Sequence, residues 1–201
     1  MRRRVGILIS GRGSNMTSLV AAAKDPAFPA EIGLVLSNRM DAAGLGRASE
    51  AGIPTAIVDH RQHGSRAEFD ASMEALFVGE GIDLVCLAGF MRILSEGFVS
   101  RWEGRMLNIH PSLLPAFKGL HPHRQALEAG VRLHGCTVHF VVPELDAGPT
   151  IVQATVPVEP DDTEATLAAR VLEAEHRLYP KGLALVASGA VRLVEGRIVT
   201  G

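Results

Sequence analysis

The stretch that decides the fold is Val5-Gly6-Ile7-Leu8-Ile9-Ser10-Gly11-Arg12-Gly13-Ser14-Asn15, near the start of the chain. It opens with an apolar run that does not alternate with polar residues, which is typical of a parallel strand covered on both faces. A glycine-rich turn follows, and helix-forming residues run from Asn15 to Lys24 directly after it. This order of strand, turn and helix predicts the first unit of an α/β fold.

The same alternation continues through the first half of the chain. Further apolar runs predict parallel strands, and segments with apolar positions near the 3.6-residue spacing predict helices between them. In chain order these elements are Ile32–Leu36, Ala42–Ala51, Thr55–Val58, Arg66–Phe77 and Leu84–Leu87. The first half is therefore predicted to be a Rossmann-like, open twisted sheet with helices on both faces.

From about Met106 the pattern changes to strands joined by longer, proline-rich connections. The expected elements are strands at Met106–His110, Cys136–Val142 and Ile151–Val158, a helix from Thr163 to Val186, and a hairpin at Val191–Thr200. Thr163 is a suitable N-cap for that helix. We expect a sheet that is parallel in the N-terminal half and mixed in the C-terminal half. We expect one domain over residues 1–201, with halves of about 1–105 and 106–201 that share this sheet and meet at a cleft.

Composition excludes several classes of protein. The 201 residues are 47% hydrophobic and 21% charged, with a formal net charge of -2, which is typical of a globular chain and not of a disordered one. No long block of one charge favours nucleic acid or an anionic membrane as a partner. The apolar run after Met1-Arg2-Arg3-Arg4 is too short for a signal peptide or a membrane span, so we expect a cytoplasmic protein. Cys86 and Cys136 are expected to be buried free thiols.

The glycine-rich turn is a candidate phosphate site, because a turn that opens a helix aims free backbone N–H groups at an anion. A dinucleotide fingerprint would need a glycine at Met16 and an acidic residue near Leu36-Ser37-Asn38. The chain also has no Gly-Lys-Ser/Thr sequence of a nucleotide-binding P-loop. A single sugar phosphate held by Gly13, Ser14 and Asn15 fits better, and the alternative is a tight turn without a ligand.

The segment Leu107-Asn108-Ile109-His110-Pro111-Ser112-Leu113-Leu114-Pro115 carries the strongest chemical signal. Residues two apart on a strand share a face, so Asn108 and His110 should project together while Leu107 and Ile109 pack behind them. An amide donor beside a group that moves protons suits a developing oxyanion. No cysteine or serine has an adjacent base, so direct attack on the substrate is expected. The alternative is a buried, hydrogen-bonded Asn and His.

Asp146 has two interpretations. In Pro143-Glu144-Leu145-Asp146-Ala147-Gly148-Pro149 it is first of all a turn residue. If it enters the cleft beside His110, it would favour the imidazolium and could accept a proton.

Two further features of the sequence, its histidines and the segment after the fourth strand, each allow more than one interpretation. Eight histidines invite a metal interpretation, but no cysteine or paired carboxylate completes a ligand set, and we expect no metal. His139 is expected to be a hydrogen-bonded core residue. The segment Ala88–Leu94 could line the pocket of a flat heterocycle or form a strand-to-helix corner.

Taken together, these segments resemble the phosphoribosylglycinamide formyltransferases, folate-dependent enzymes of purine synthesis. The resemblance extends from Ile9 to about Pro180. Its most specific segments are Leu87–Leu94, Asn108–Pro115, Gly119–Leu127 and Glu144–Pro149. The chain departs from the family pattern at Arg12, often Asn, and at Ala147, often Gly, and we assign Arg12 no role from the sequence.

The resemblance implies transfer of a formyl group from 10-formyltetrahydrofolate to the amine of glycinamide ribonucleotide, with small-molecule partners only and a monomer or a homodimer. It implies a catalytic set of Asn108, His110 and Asp146. It implies that Gly13, Ser14 and Asn15 hold the phosphate and that Glu175 reaches the glycinamide or ribose. The residues implied to surround the folate are Arg66, Met91, Arg92, Ile93, Leu94, Asn108, Val142, Pro143, Glu144, Leu145 and Asp146.

The same residues are also compatible with other functions. Methionyl-tRNA formyltransferases and formyltetrahydrofolate hydrolases look similar around the catalytic set. The first would be expected to carry an additional nucleic-acid-binding domain and the second an amino-terminal regulatory domain, and the 201 residues favour neither. A non-catalytic sensor of sugar phosphate or folate is a further alternative, although binding alone would not need a proton-transferring histidine.

Overall fold

The computed structural model describes residues 1–201. Its strands are β1 (Arg3–Ile9), β2 (Ala30–Ser37), β3 (Thr55–Ile57), β4 (Leu84–Leu87), β5 (Met106–His110), β6 (Leu133–Phe140), β7 (Thr150–Pro157), β8 (Val191–Val194) and β9 (Arg197–Thr200). Its helices are α1 (Ser14–Ala23), α2 (Ala43–Glu50), α3 (Arg66–Gly79), α4 (Glu96–Arg101), α5 (Pro122–Glu128) and α6 (Glu164–Ala187). No helix is both long and apolar enough to cross a bilayer.

One seven-stranded sheet contains strands from both halves of the chain, in the order β3-β2-β1-β4-β5-β6-β7, and β8 and β9 form a separate hairpin. From β3 to β5 all neighbours are parallel, whereas β6 is antiparallel to β5 and to β7. The predicted architecture, parallel in the first half and mixed in the second, is confirmed. The hairpin is also confirmed.

The two faces of the sheet are covered by different helices. On one face, Leu107 and Ile109 of β5 join a core cluster that includes side chains of α1 and α6. On the other face, Met106 joins a second cluster with side chains of α3 and α4. Strands covered on both faces explain the apolar runs without alternation. Because Asn108 and His110 alternate with Leu107 and Ile109, they lie on the α3 and α4 face.

Two elements differ from the sequence prediction. Helix α4 was not predicted, because it has only six residues and too few turns to show a period; Ser95 caps it by accepting from the N–H of Phe98. Strand β6 runs from Leu133 to Phe140, whereas the apolar pattern had indicated Cys136–Val142. Its first residues pair with β7 despite a weak apolar signal. Val141 and Val142 lie beyond the end of the strand, although the N–H of Val141 still donates to the carbonyl oxygen of Met106 in β5 at 2.9 Å.

The carboxyl ends of β1 and β4 meet where the strand order reverses, because β1 lies between β2 and β4. Ligands of open α/β sheets bind at such a point. Nearby, the hydroxyl of Tyr179 on α6 lies 3.0 Å from the carbonyl oxygen of Leu87 and 3.1 Å from that of Leu107. This contact ties α6 to β4 and β5 directly behind the cleft. Cys86 and Cys136 are free and buried, as predicted.

Candidate active site

The glycine-rich turn leads from β1 into α1. Gly13 is the N-cap residue, with a φ of 69° in the left-handed region that glycine adopts without cost. A Cβ at this position would also lie 3.0 Å from the Cα of Gly44, so the backbone passes too close for a side chain. No side chain caps the helix, and the backbone N–H groups of residues 13–16 donate to no protein acceptor. The turn therefore offers a row of free donors to an anion.

A buried carboxyl group lies beside this turn. Asn15 donates from Nδ2 to Oε2 of Glu175 at 2.8 Å, which links α1 to α6. Glu175 is 6% exposed. Burial raises its pKa to about 7, and the hydrogen bond from Asn15 opposes this shift. The other oxygen, Oε1, has no protein partner and is available to a ligand.

Asn108 and His110 project from β5 at its carboxyl end, as the two-residue spacing predicts. Leu107 and Ile109 are buried behind them, also as predicted. His110 is itself 6% exposed, so an ion formed there is largely shielded from water. Asn108 pairs with both neighbouring strands, opposite Leu87 of β4 and His139 of β6, whereas His110 pairs only with β6, opposite Thr137.

Both ring nitrogens of His110 face atoms that only accept hydrogen bonds. Nε2 lies 2.9 Å from the carbonyl oxygen of Phe117, and Nδ1 lies 3.4 Å from Oδ2 of Asp146. A neutral imidazole has one N–H and satisfies one of these acceptors, whereas the imidazolium satisfies both. The ring therefore lies between the carbonyl oxygen of Phe117 on one side and the carboxylate of Asp146 on the other.

Asp146 combines the two interpretations that the sequence left open. It adopts a left-handed backbone, with a φ of 50°, as a turn residue does. Its carboxylate is buried beside His110 and accepts from the N–H of Gly119 at 2.9 Å. The loop between β6 and β7 therefore folds back over β5 and joins the loop that precedes α5.

His139 contributes to the site, although the sequence pointed only to a core role. Its Nδ1 donates to the carbonyl oxygen of Phe140 at 2.8 Å, so its Nε2 is left to accept from Nδ2 of Asn108 at 3.1 Å. Burial lowers the pKa of His139, which keeps the ring neutral for this purpose. The strand register places Asn108 directly opposite His139. A correct prediction of the register between β5 and β6 would have revealed this contact from the sequence.

The residues expected to surround the folate are spread along the carboxyl edge. Met91 and Ile93 are exposed by 75% and 64%, and Leu145 by 60%, which leaves apolar surface for a flat heterocycle to cover. Leu94 is instead buried in the cluster beneath α3 and α4. Arg66, at the start of α3, is exposed and contacts none of the other predicted residues through a hydrogen bond or an ion pair.

The remaining members of the expected folate set lie in the loop after β6. Val142 is half-buried, and Pro143 and Glu144 are exposed. Glu144 pairs with Lys118 at 3.5 Å, a second contact between this loop and the one before α5. No group of three or more His, Cys, Asp and Glu side chains is arranged as a metal site.

Comparisons with known proteins were made on both sequence and structure. The sequence pattern described as formyl transferase matches residues 3–183. The trifunctional purine biosynthetic protein adenosine-3 of Gallus gallus is 55% identical over 192 residues, which are 96% of this chain and 19% of that protein. This chain thus spans about a fifth of the length of that relative.

Two other proteins match over most of their own length. The phosphoribosylglycinamide formyltransferase of Escherichia coli (strain K12) is 47% identical over 189 residues, or 94% of this chain and 89% of that protein. The crystal structure of glycinamide ribonucleotide transformylase 1 from Symbiobacterium toebii has a TM-score of 0.95 and 44% identity, and covers 99% of this chain and 94% of that one. The resemblance read from the sequence is confirmed, and the chain belongs to the formyl transferase family.

Proposed function

We propose that this chain transfers a formyl group from 10-formyltetrahydrofolate to the primary amine of glycinamide ribonucleotide. The observation that carries the proposal is the cluster of half-buried Asn108 with buried His110 and Asp146, in which an amide donor and an imidazole share one strand face beside a carboxylate. Acyl transfer to an amine needs these groups and no enzyme nucleophile.

The residues on the other side of the cleft indicate which molecule accepts the formyl group. The free N–H groups at the start of α1 suit the phosphate of a small ribonucleotide, and Glu175 on α6 offers a carboxyl group that is hydrogen-bonded to Asn15 of the same turn. Gly13, Ser14 and Asn15 would hold the phosphate, and Glu175 would bind the ribose or glycinamide. The matched Escherichia coli relative, named phosphoribosylglycinamide formyltransferase, supports this acceptor.

In the proposed reaction the substrate amine attacks the formyl carbon, and negative charge develops on the formyl oxygen. Asn108 stabilises that oxygen with the N–H of Nδ2 that His139 does not use. His110, when protonated, acts mainly through its positive charge, since its Nε2 lies 2.9 Å from the carbonyl oxygen of Phe117 and its Nδ1 lies 3.4 Å from Oδ2 of Asp146. Asp146 supports His110 and accepts the amine's proton directly or through water. When the bond from the formyl carbon to N10 breaks, N10 takes up a proton and tetrahydrofolate leaves.

The folate would lie along the carboxyl edge, with its ring against the exposed apolar side chains of Met91, Ile93 and Leu145. Leu94 would support this wall from within the core. Arg66 and Arg92 would meet the acidic end of the folate, and the loop from Val142 to Asp146 would close over the ring. Burial of the apolar surface would also exclude water from the formyl group.

A product assay tests the proposal. The purified protein is mixed with glycinamide ribonucleotide and 10-formyltetrahydrofolate. The products are separated by chromatography and identified by mass spectrometry. We expect formylated ribonucleotide and tetrahydrofolate in equal amounts. Free formate with unmodified ribonucleotide would indicate a hydrolase instead, and binding of either compound without turnover would indicate a sensor.

A further inference from the structure

A cavity of ≈ 420 Å³ lies beside the glycine-rich turn, at the carboxyl ends of β1 and β4. The turn itself forms one wall, and three arginines, Arg12, Arg39 and Arg92, also line the cavity. Arg12 was assigned no role in the sequence analysis, and the catalytic proposal does not use it.

The backbone of the turn supplies no formal positive charge. Its free donors are backbone N–H groups, and the helix dipole adds about half an elementary charge. The side-chain amide of Asn15 is already bound to Glu175, which brings an acidic group to the neighbourhood. A phosphate monoester carries a charge of about -1.5 to -2 at pH 7. The turn therefore leaves most of a phosphate's charge uncompensated.

The three arginines differ in their existing partners. Arg39 is held by both oxygens of Asp41, at 2.9 and 2.6 Å, so its charge is neutralised. Neither Arg12 nor Arg92 makes an ion pair or a side-chain hydrogen bond. Arg12 belongs to the turn itself and precedes the N-cap Gly13, whereas Arg92 follows β4 on the far wall.

A second cavity adjoins the first through Arg39 and His60. Its other arginine, Arg61, is bound by both oxygens of Asp59, at 2.9 and 2.6 Å. That cavity therefore offers no free positive charge, and an anion is expected to stay at the turn.

We propose that Arg12 is the phosphate-pairing residue of this site, the side chain that supplies the positive charge its backbone donors lack. The inference rests on the proposed function, because the anion is taken to be the phosphate of the acceptor ribonucleotide. Arg12 acts in binding and not in the chemical step, so it sets affinity for phosphorylated acceptors and selects against their unphosphorylated forms.

Calorimetric titration of the full chain tests this assignment with two ligands, glycinamide ribonucleotide and its dephosphorylated riboside. For Arg12→Ala we expect about a tenfold loss of affinity for the ribonucleotide at low salt, since one exposed charge-assisted contact is removed, and no change for the riboside. The loss should shrink as salt is raised, because screening weakens an exposed pair. Arg12→Lys should recover part of the affinity. The control Arg39→Ala, which removes a paired arginine from the same cavity, should bind as the unmodified protein does.

Two results would overturn the assignment: unchanged ribonucleotide affinity in Arg12→Ala, or an equal loss for ribonucleotide and riboside, which would mean a structural role. Ribose 5-phosphate separates this failure from failure of the proposed function. If it binds in an Arg12-dependent way and no ribonucleotide is formylated, the role of Arg12 stands and the acceptor is wrong. If formylation proceeds and Arg12→Ala binds every phosphate ligand normally, the proposed function stands and the Arg12 assignment is wrong.

Discussion

At the scale of single residues, the site depends on which atoms remain free after the protein has satisfied its own hydrogen bonds. His139 fixes the amide of Asn108 by accepting one N–H, and this leaves the other N–H free for the role we propose. His110 has two such neighbours, because the carbonyl oxygen of Phe117 lies 2.9 Å from Nε2 and the carboxylate of Asp146 lies 3.4 Å from Nδ1. The proposed catalytic side chains are therefore positioned by contacts with other groups of the protein.

The role of His139 can be measured through its coupling to Asn108. We expect Asn108→Ala to lower kcat on the order of a hundredfold, because an oxyanion donor is lost. His139→Leu should lower kcat about tenfold without changing the KM for ribonucleotide, because the donor stays but is no longer oriented. Steady-state kinetics of the double variant decide the matter: it should be no slower than Asn108→Ala alone. Multiplication of the two losses would mean that His139 acts independently.

Gly148 tests how tightly the Asp146 loop is placed. A Cβ on Gly148 would lie 1.7 Å from the carbonyl oxygen of Phe140, so Gly148→Ala must displace the loop. We expect a loss of about 2 kcal/mol or more in the free energy of unfolding, and a lower kcat because Asp146 moves with the loop. Denaturant unfolding and turnover measure the two effects. Gly46→Ala is the matched control, since its Cβ meets nothing within 4 Å and alanine favours the helix α2. Equal stability of the two variants would contradict the close approach.

At the scale of elements, the buried pair of Asn15 and Glu175 joins α1 to α6 beside the phosphate turn. Burial raises the pKa of Glu175 from 4.5 to about 7. Between these values the folded protein keeps a proton that the unfolded chain releases, so the contribution of Glu175 to stability falls as pH rises from about 4.5 to about 7.

Glu175→Gln should remove this dependence on pH. Relative to the unmodified protein, the free energy of unfolding of the variant should rise by about 3 kcal/mol between pH 4.5 and pH 7, because glutamine never has to be buried as an ion. Urea unfolding at several pH values measures the difference. Glu173→Gln, an exposed position on the same helix, is the control and should leave the pH profile unchanged. A profile for Glu175→Gln parallel to that of the unmodified protein would show that Glu175 is already ionised in this range.

Elements also show where sequence reasoning succeeds. The first half was predictable because β1, β2 and β4 are covered on both faces and stand out as unbroken apolar runs. The catalytic strand was predictable because polar Asn108 and His110 interrupt such a run with the period of a strand. The start of β6 was predicted too far along the chain, because Leu133 and His134 join the sheet through backbone pairing with β7, which an apolar pattern does not reveal.

The candidate site shows a similar division. Contacts within one segment, such as Thr163 capping α6, follow from local residues. Contacts between distant segments do not: the approach of Asp146 to His110 depends on how the loop after β6 folds back, and the partner of Asn108 depends on strand register. The oligomeric state stays a prediction, as no contact within one chain determines it.

At the scale of the whole molecule, the sheet separates two tasks. The phosphate turn and Glu175 lie with α1 and α6, whereas Asn108 and His110 lie on the face covered by α3 and α4. Because these residues lie on different faces of the sheet, we expect phosphate binding and turnover to be separable by mutation.

The most direct measurement is the effect of His110→Ala on binding and turnover in the same preparation. Calorimetry should give a ribonucleotide affinity close to that of the unmodified protein, because His110 lies on the opposite face from the phosphate turn. Quenched-flow measurement of formyl transfer should show turnover reduced on the order of a hundredfold or more, because the charge beside the developing oxyanion is gone. Retained turnover in a folded His110→Ala protein would contradict the account.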